Sequence, residues 1–215
     1  MAELTMTDVA ADPADRQIAG ARPVSPAGHL AAAFAAAEVT GRRGVAVREV
    51  PFLTMVGLRA EQGSGPAERL TTALGARLPG SCGGVGAAGQ TAAVWLAPDE
   101  WLVVSEQPAA ALTSRLVTAL HGEPGSAVDL SANRTTLELV GPSARDVCEK
   151  GCPLDLHPRS LAVGSAYATT LAAVPVTLWR TGEQTFRILV RSSFVDHVGR
   201  WLLDAMTEYR SPVLP

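Results

Sequence analysis

Two hydrophobic periods alternate along the chain. "REVPFLTMVGLRA" sets Phe52, Thr54, Val56 and Leu58 against Leu53, Met55 and Arg59, the alternation of one strand with unlike faces. "GPAERLTTALGARL" switches to the helical period, with Leu70, Ala73, Leu74 and Arg77 on one side and Pro66 at a first helical position. A Gly-rich loop then leads into "TAAVWLAPDEWLVVSE", two apolar runs joined by Pro98, Asp99 and Glu100, which is a hairpin pattern. "PAAALTSRLVTALHG" gives a helix that stops at Gly122, and "GSAVDLS" a closing strand. The order strand, helix, strand, strand, helix, strand is that of a ferredoxin-like plait.

The same order begins again at once. "RTTLELVG" is a strand with Leu137 and Leu139 inward, and Pro142 to Lys150 a short helix. Val174, Val176 and Leu178 alternate, then Phe186, Ile188 and Val190, around a turn at Thr181 to Gln184. A last helix from Ser193, with Asp196 as its capping-box partner, places Phe194, Val198, Trp201, Leu202 and Ala205 on one face. The pattern predicts an α+β domain of duplicated ferredoxin-like units with antiparallel sheets and packed helices. Residues 48–131 form the first unit and 132–210 the second, packed as one domain. Residues 27–47 read as a short helix and linker, with Leu30 and Phe34 on one face. Residues 1–26, rich in Ala, Asp and Pro without apolar period, read as a flexible arm.

Charge narrows the function classes. A net charge of -3 without a basic run gives no footprint for nucleic acid. "LAAAFAAA" is too short to span a bilayer, and the first fifteen residues carry Glu3, Asp8, Asp12 and Asp15 where a leader would be positive. A cytoplasmic location is expected. Three cysteines, an odd number, argue for free thiols over a disulfide framework.

Each candidate chemistry lacks a component. Cys148 falls on the apolar side of a short helix, a position for a small buried hydrophobe, and Cys152 follows the helix end. Structural zinc takes about four ligands in paired spacings, whereas here only His157 is near and Cys82 is remote. Gly84, Gly86 and Gly89 have the spacing of a dinucleotide fingerprint, but a strand follows where a helix is required. The four histidines have no metal-helix spacing, and no G-x-S-x-G elbow exists. Trp95, Trp101, Trp179 and Trp201 lie on strands or an apolar helix face and read as core. No catalytic, metal or cofactor-binding residue is expected in the chain, which makes a binding or assembly role the natural reading.

The run "DLSANRTTLELVGPSARDVCEKGCPLDLHP", followed by "VTLWRTGEQTFRILVRSSFVDHVGRWLLDA", resembles the gamma subunit of heterotetrameric sarcosine oxidase over roughly residues 48–208. The matching elements are Asp129, Leu130, Ser131 and Arg134, then Gly141, Pro142 and Ala144, "KGCPLDLHP" (150–158), Phe186 to Phe194, and the hairpin "LAPDEWL" (96–102). The resemblance implies the folate-binding fold of the glycine-cleavage aminomethyltransferase. It also implies assembly with alpha, beta and delta subunits that oxidise sarcosine to glycine. On that resemblance FAD, FMN, NAD, zinc and tetrahydrofolate reside on the other subunits and none on this chain. The acidic folate-site residue of the aminomethyltransferases has no counterpart before the first strand.

Candidate contacts to another subunit follow from the Pro-bounded segment "CPLDLHP", with Asp155, His157 and Arg159, and from the strand arginines Arg134, Arg187 and Arg191. Two alternatives stand beside this. The loop packs only on its own sheet, and the arginines guard strand edges against misassociation. A free-standing folate-binding protein of the aminomethyltransferase-like superfamily is the competing function.

Overall fold

The computed structural model describes residues 23–210; the expected arm falls mainly on 1–22, outside the described residues. The fold is α+β, with two five-stranded sheets ordered β1-β7-β10-β9-β8 and β3-β4-β5-β2-β6. The first comprises β1 (Ala46–Val50), β7 (Arg134–Val140), β8 (Ala166–Leu171), β9 (Val174–Gly182) and β10 (Thr185–Arg191). The second comprises β2 (Thr54–Arg59), β3 (Val85–Ala88), β4 (Thr91–Ala97), β5 (Glu100–Ser105) and β6 (Ser126–Asp129). Every pairing is antiparallel.

The sheets repeat one plan. In the second sheet β2, α2 (Gly65–Leu74), β4, β5, α3 (Ala109–Leu120) and β6 form the plait, with β3 added at the edge. In the first sheet β7, α4 (Ala144–Glu149), β9, β10 and α5 (Val195–Ala205) follow the same path, with β8 as the added edge. The fourth position there is filled by β1, from the beginning of the chain. The boundary expected at residue 48 thus falls inside a strand of the other sheet.

The single strand expected through "REVPFLTMVGLRA" is two strands in different sheets. Pro51 has no N–H for a ladder, and Phe52 has φ 61°, which turns the chain between the sheets. Residues 27–37 are anchored in the core by one face. Ala27, Leu30, Phe34 and Ala37 are buried in α1 (Ala31–Ala37) and the 3₁₀ turn before it. Gly199 of α5 permits that approach, because a Cβ there would stand 2.5 Å from Leu30 Cδ1.

Helices cover the outer face of each sheet and the inner faces meet. Leu137, Leu139, Phe186 and Ile188 pack under α1 and α5, while Val56, Leu58, Trp101 and Val103 pack under α2 and α3. Met55, Val94, Leu102 and Val104 meet Ala166, Trp179 and Leu189 between the sheets. Two further differences are local. The Gly-rich stretch expected as a loop contains β3, where a Cβ on Gly86 would overlap the Arg77 carbonyl. The expected capping box at Ser193 is not formed: a 3₁₀ turn (Ser192–Phe194) precedes α5, and Asp196 accepts from Arg200 Nε at 3.0 Å.

Candidate subunit-contact surface

The strand period decides where the arginines point. On β7, Leu137 and Leu139 face the helices, so Arg134, Thr136 and Glu138 face the second sheet. On β10 the same rule puts Arg187 and Arg191 beside Leu189 on the inner face. The register pairs Arg48 with Glu138, Glu138 with Arg187, and Arg187 with Trp179, forming a row across four strands. Glu138 is buried and accepts from Arg48 Nε at 2.9 Å and Arg187 Nε at 3.0 Å. Burial raises its carboxyl pKa, but the two guanidinium hydrogen bonds and charges outweigh that and hold it below the usual carboxylate range. Arg187 also lies 5.8 Å from the centroid of the Trp179 ring.

The other strand arginines sit at the far end of the same face. Arg191 pairs directly with Arg134. Burial, then the charge of Arg191, lowers the Arg134 pKa, and its Nε is buried with no acceptor. β10 is interior to the sheet, whereas the β1 pairing of β7 stops at Thr136, so Arg134 lies beyond the part of β7 that β1 covers.

The segment after α4 is a self-bonded loop. Leu156 and Leu161 are buried beneath it. Asp155 accepts from the His157 amide at 3.0 Å and Ser160 Oγ at 2.6 Å, which hold its carboxyl below the usual range. His157 Nδ1 accepts from the Arg159 amide at 3.3 Å. Buried Arg180 fixes the loop by donating to the Leu161 carbonyl at 2.7 Å. The structure therefore brings Asp155, His157 and Arg159 together, exposed. They share no hydrogen-bond or ion-pair partner with Arg134, Arg187 or Arg191.

Glu138, Arg48 and Arg180 were missed in the sequence reading. A glutamate between Leu137 and Leu139 on an interior strand was the available signal: it must face inward on the second face and so demands cations.

Reactive chemistry is sparse. All three cysteines are free; Cys148 is fully buried, and burial, then Cys152 and Glu149, raise its thiol so far that it stays protonated. Among the described residues, no group of three His, Cys, Asp or Glu side chains could hold a metal ion, and no helix is long and apolar enough to cross a membrane.

The paired plaits are shared with glycine cleavage system aminomethyltransferase T from Bartonella henselae. The TM-score is 0.56 at 18% identity over 74% of this chain and 45% of that one, a likeness of fold. Closer relatives are more specific. The sarcosine oxidase, gamma subunit family matches residues 62–208. Sarcosine oxidase subunit gamma of Corynebacterium sp. (strain U-96) is 53% identical over 86% of this chain and 90% of its own length. That of Arthrobacter sp. is 51% identical over 88% and 93%. The solved heterotetrameric sarcosine oxidase from Corynebacterium sp. U-96, in complex with pyrrole 2-carboxylate, contains a chain that superimposes with TM-score 0.87 at 50% identity. It covers 90% of this chain and 99% of that one. The chain belongs to the sarcosine oxidase gamma subunit family.

Proposed function

We propose that this chain is the non-catalytic gamma subunit of a heterotetrameric sarcosine oxidase, assembling with alpha, beta and delta subunits in the cytoplasm. The observation that carries this is the match, at 50% identity over 90% of this chain and 99% of the other, to a chain of the solved heterotetramer. The complex oxidises sarcosine with oxygen and water to glycine, hydrogen peroxide and formaldehyde, or passes the one-carbon unit to tetrahydrofolate as 5,10-methylenetetrahydrofolate. FAD, FMN, NAD, zinc and tetrahydrofolate belong to the other subunits in this reading. The protonated Cys148 thiol and the commitment of Asp155 to its own loop support a chain with no reacting group of its own. Its contribution is contact surface: Asp155, His157 and Arg159 on the exposed loop, with Arg134 and Arg191 at one end of the sheet, while Arg187, the third strand arginine, is held by Glu138 within the chain.

The test is co-expression with the neighbouring genes, purification through a tag on this chain, and mass spectrometry with flavin absorbance on the eluate. A stoichiometric yellow complex with two large subunits and one small one is expected. A colourless solitary chain that binds tetrahydrofolate would overturn the reading in favour of a free-standing folate-binding protein.

A further inference from the structure

One pair of strands carries two charged rungs of opposite character. Near the turn joining β9 to β10, Arg187 faces buried Glu138 on β7 and donates to it at 3.0 Å. At the other end of the same two strands and on the same face, Arg191 faces Arg134. Like charges directly opposite on a ladder repel. A guanidinium does not escape by losing its proton, so a counter-charge is required to relieve the pair. Among the described residues, neither Arg134 nor Arg191 enters an ion pair, and the Arg134 Nε is buried without an acceptor. Glu100 is the carboxylate whose field reaches Arg134, and it already lies 2.7 Å from Arg59 Nη2. Arg59 and Glu100 offset one another, which leaves the charge of Arg134 and Arg191 uncompensated.

The surroundings point to a protein and not to a small ion. Arg191 is exposed, and Phe194, three residues further along the chain, is a large apolar side chain left 42% exposed. An enclosed ion site would bury such groups, whereas a polypeptide that brings a carboxylate and apolar neighbours covers both.

We propose that the Arg134–Arg191 rung is a docking point for an aspartate or glutamate side chain of a partner subunit, which takes at this end the place that Glu138 takes at the other. The inference rests on the subunit reading above and separates the strand arginines into two roles. Arg187 is committed within the chain, whereas Arg134 and Arg191 stand at the far end of the same face outside any ion pair, Arg191 exposed and Arg134 half-exposed. A carboxylate bridging two guanidinium groups accepts several charge-assisted hydrogen bonds, a geometry suited to fixing register at an interface.

The test uses the full chain co-expressed with the alpha, beta and delta subunits. Wild type is compared with Arg191→Gln, with the double variant Arg134→Gln/Arg191→Gln, and with Arg77→Gln, an exposed arginine elsewhere. The readouts are the affinity of purified gamma chain for the alpha-beta-delta remainder across salt concentrations, and the Tm of each isolated chain. Expected is about a tenfold loss of affinity in the double variant near physiological salt, with a shallower salt dependence than wild type. A smaller loss is expected in Arg191→Gln and none in Arg77→Gln. The isolated double variant should melt at or above the wild-type temperature, because a repulsion has been removed. If wild type assembles and both rung variants bind equally well at every salt concentration, the docking point is wrong and the subunit reading stands. If the isolated variants melt lower while affinity is unchanged, the counter-charge lies within this chain and the proposal falls. If wild type itself fails to assemble, the subunit reading falls and the docking point with it.

Discussion

At the scale of single residues, Glu138 does the most to order the inner face. Its carboxylate is buried, and Arg48 and Arg187 satisfy it from the two neighbouring strands. Removing it leaves Arg187 half-buried without a carboxylate, with only the Trp179 ring beside it, so Glu138→Ala is expected to cost about 2 kcal/mol, measured by urea denaturation at neutral pH. The exposure of Arg48 keeps the figure below that of a fully buried pair. The pH dependence has a definite sign. Glu138 is held below its unfolded pKa, so its contribution is complete above the ordinary glutamate range and disappears as pH falls through the lowered folded value. Wild type and variant should therefore converge in stability in acid. A constant gap down to pH about 2 would show that the loss is packing and not charge. Gly86 makes the contrasting steric case. With the Arg77 carbonyl where a Cβ would stand, Gly86→Ala requires β3 to move, and a loss of about 3 kcal/mol in the same assay is expected.

Among the elements, α1 shows how a weak sequence signal hides a strong structural role. Seven residues of mostly alanine have little intrinsic stability as a helix. The helix exists because Leu30 and Phe34 enter the core against α5 at Gly199. Phe34→Ala is expected to cost about 3 kcal/mol. Because α1 leads into β1, amide exchange in β1 should accelerate more than in β7 or β10; equal acceleration in all three would place Phe34 in a single cooperative unit with them. The units from β2 to β6 and from β7 to α5 were legible because their alternation and helical periods are long and bounded by Pro, Gly and turn residues. The joint at Pro51 and Phe52 was not read, since the alternation runs across it; Pro51, which has no N–H for a ladder, was the available signal, and the left-handed φ at Phe52 completes the break. Nor was the self-bonded state of Asp155 and His157 legible, because an Asx-type loop and a contact loop have the same exposed polar residues. The inner-face arginines were found as residues, but sequence could not tell a satisfied one from an unsatisfied one. That distinction depends on cross-strand register, which pairs Arg187 with Glu138 and Arg191 with Arg134.

For the whole molecule, the governing fact is that the chain crosses between its two sheets and returns. The second plait takes its fourth strand from residues 46–50, ahead of the first plait in sequence. Residues 132–210 therefore lack one strand of their own sheet, and a cut at residue 48 divides a sheet and not a linker. A chain spanning 51–210 would lose β1, leave β7 as an open edge, strip Leu30, Phe34, Ala37, Val45 and Val47 from the core cluster that holds Phe186 and Leu139, and remove Arg48 from Glu138. That truncation is expected to be recovered as aggregate. A separate polypeptide spanning 23–50 should rescue it when co-expressed, because β1 pairs with β7 through five successive register positions and carries its own apolar anchors in Leu30 and Phe34. Rescue should be lost when Phe34 of the short piece is changed to Asp, which leaves the strand intact and removes its anchor. Soluble, cooperatively melting 51–210 without the short piece would show that the second plait closes without a fourth strand. In that case the N-terminal segment would be an attachment to the fold and not a part of it.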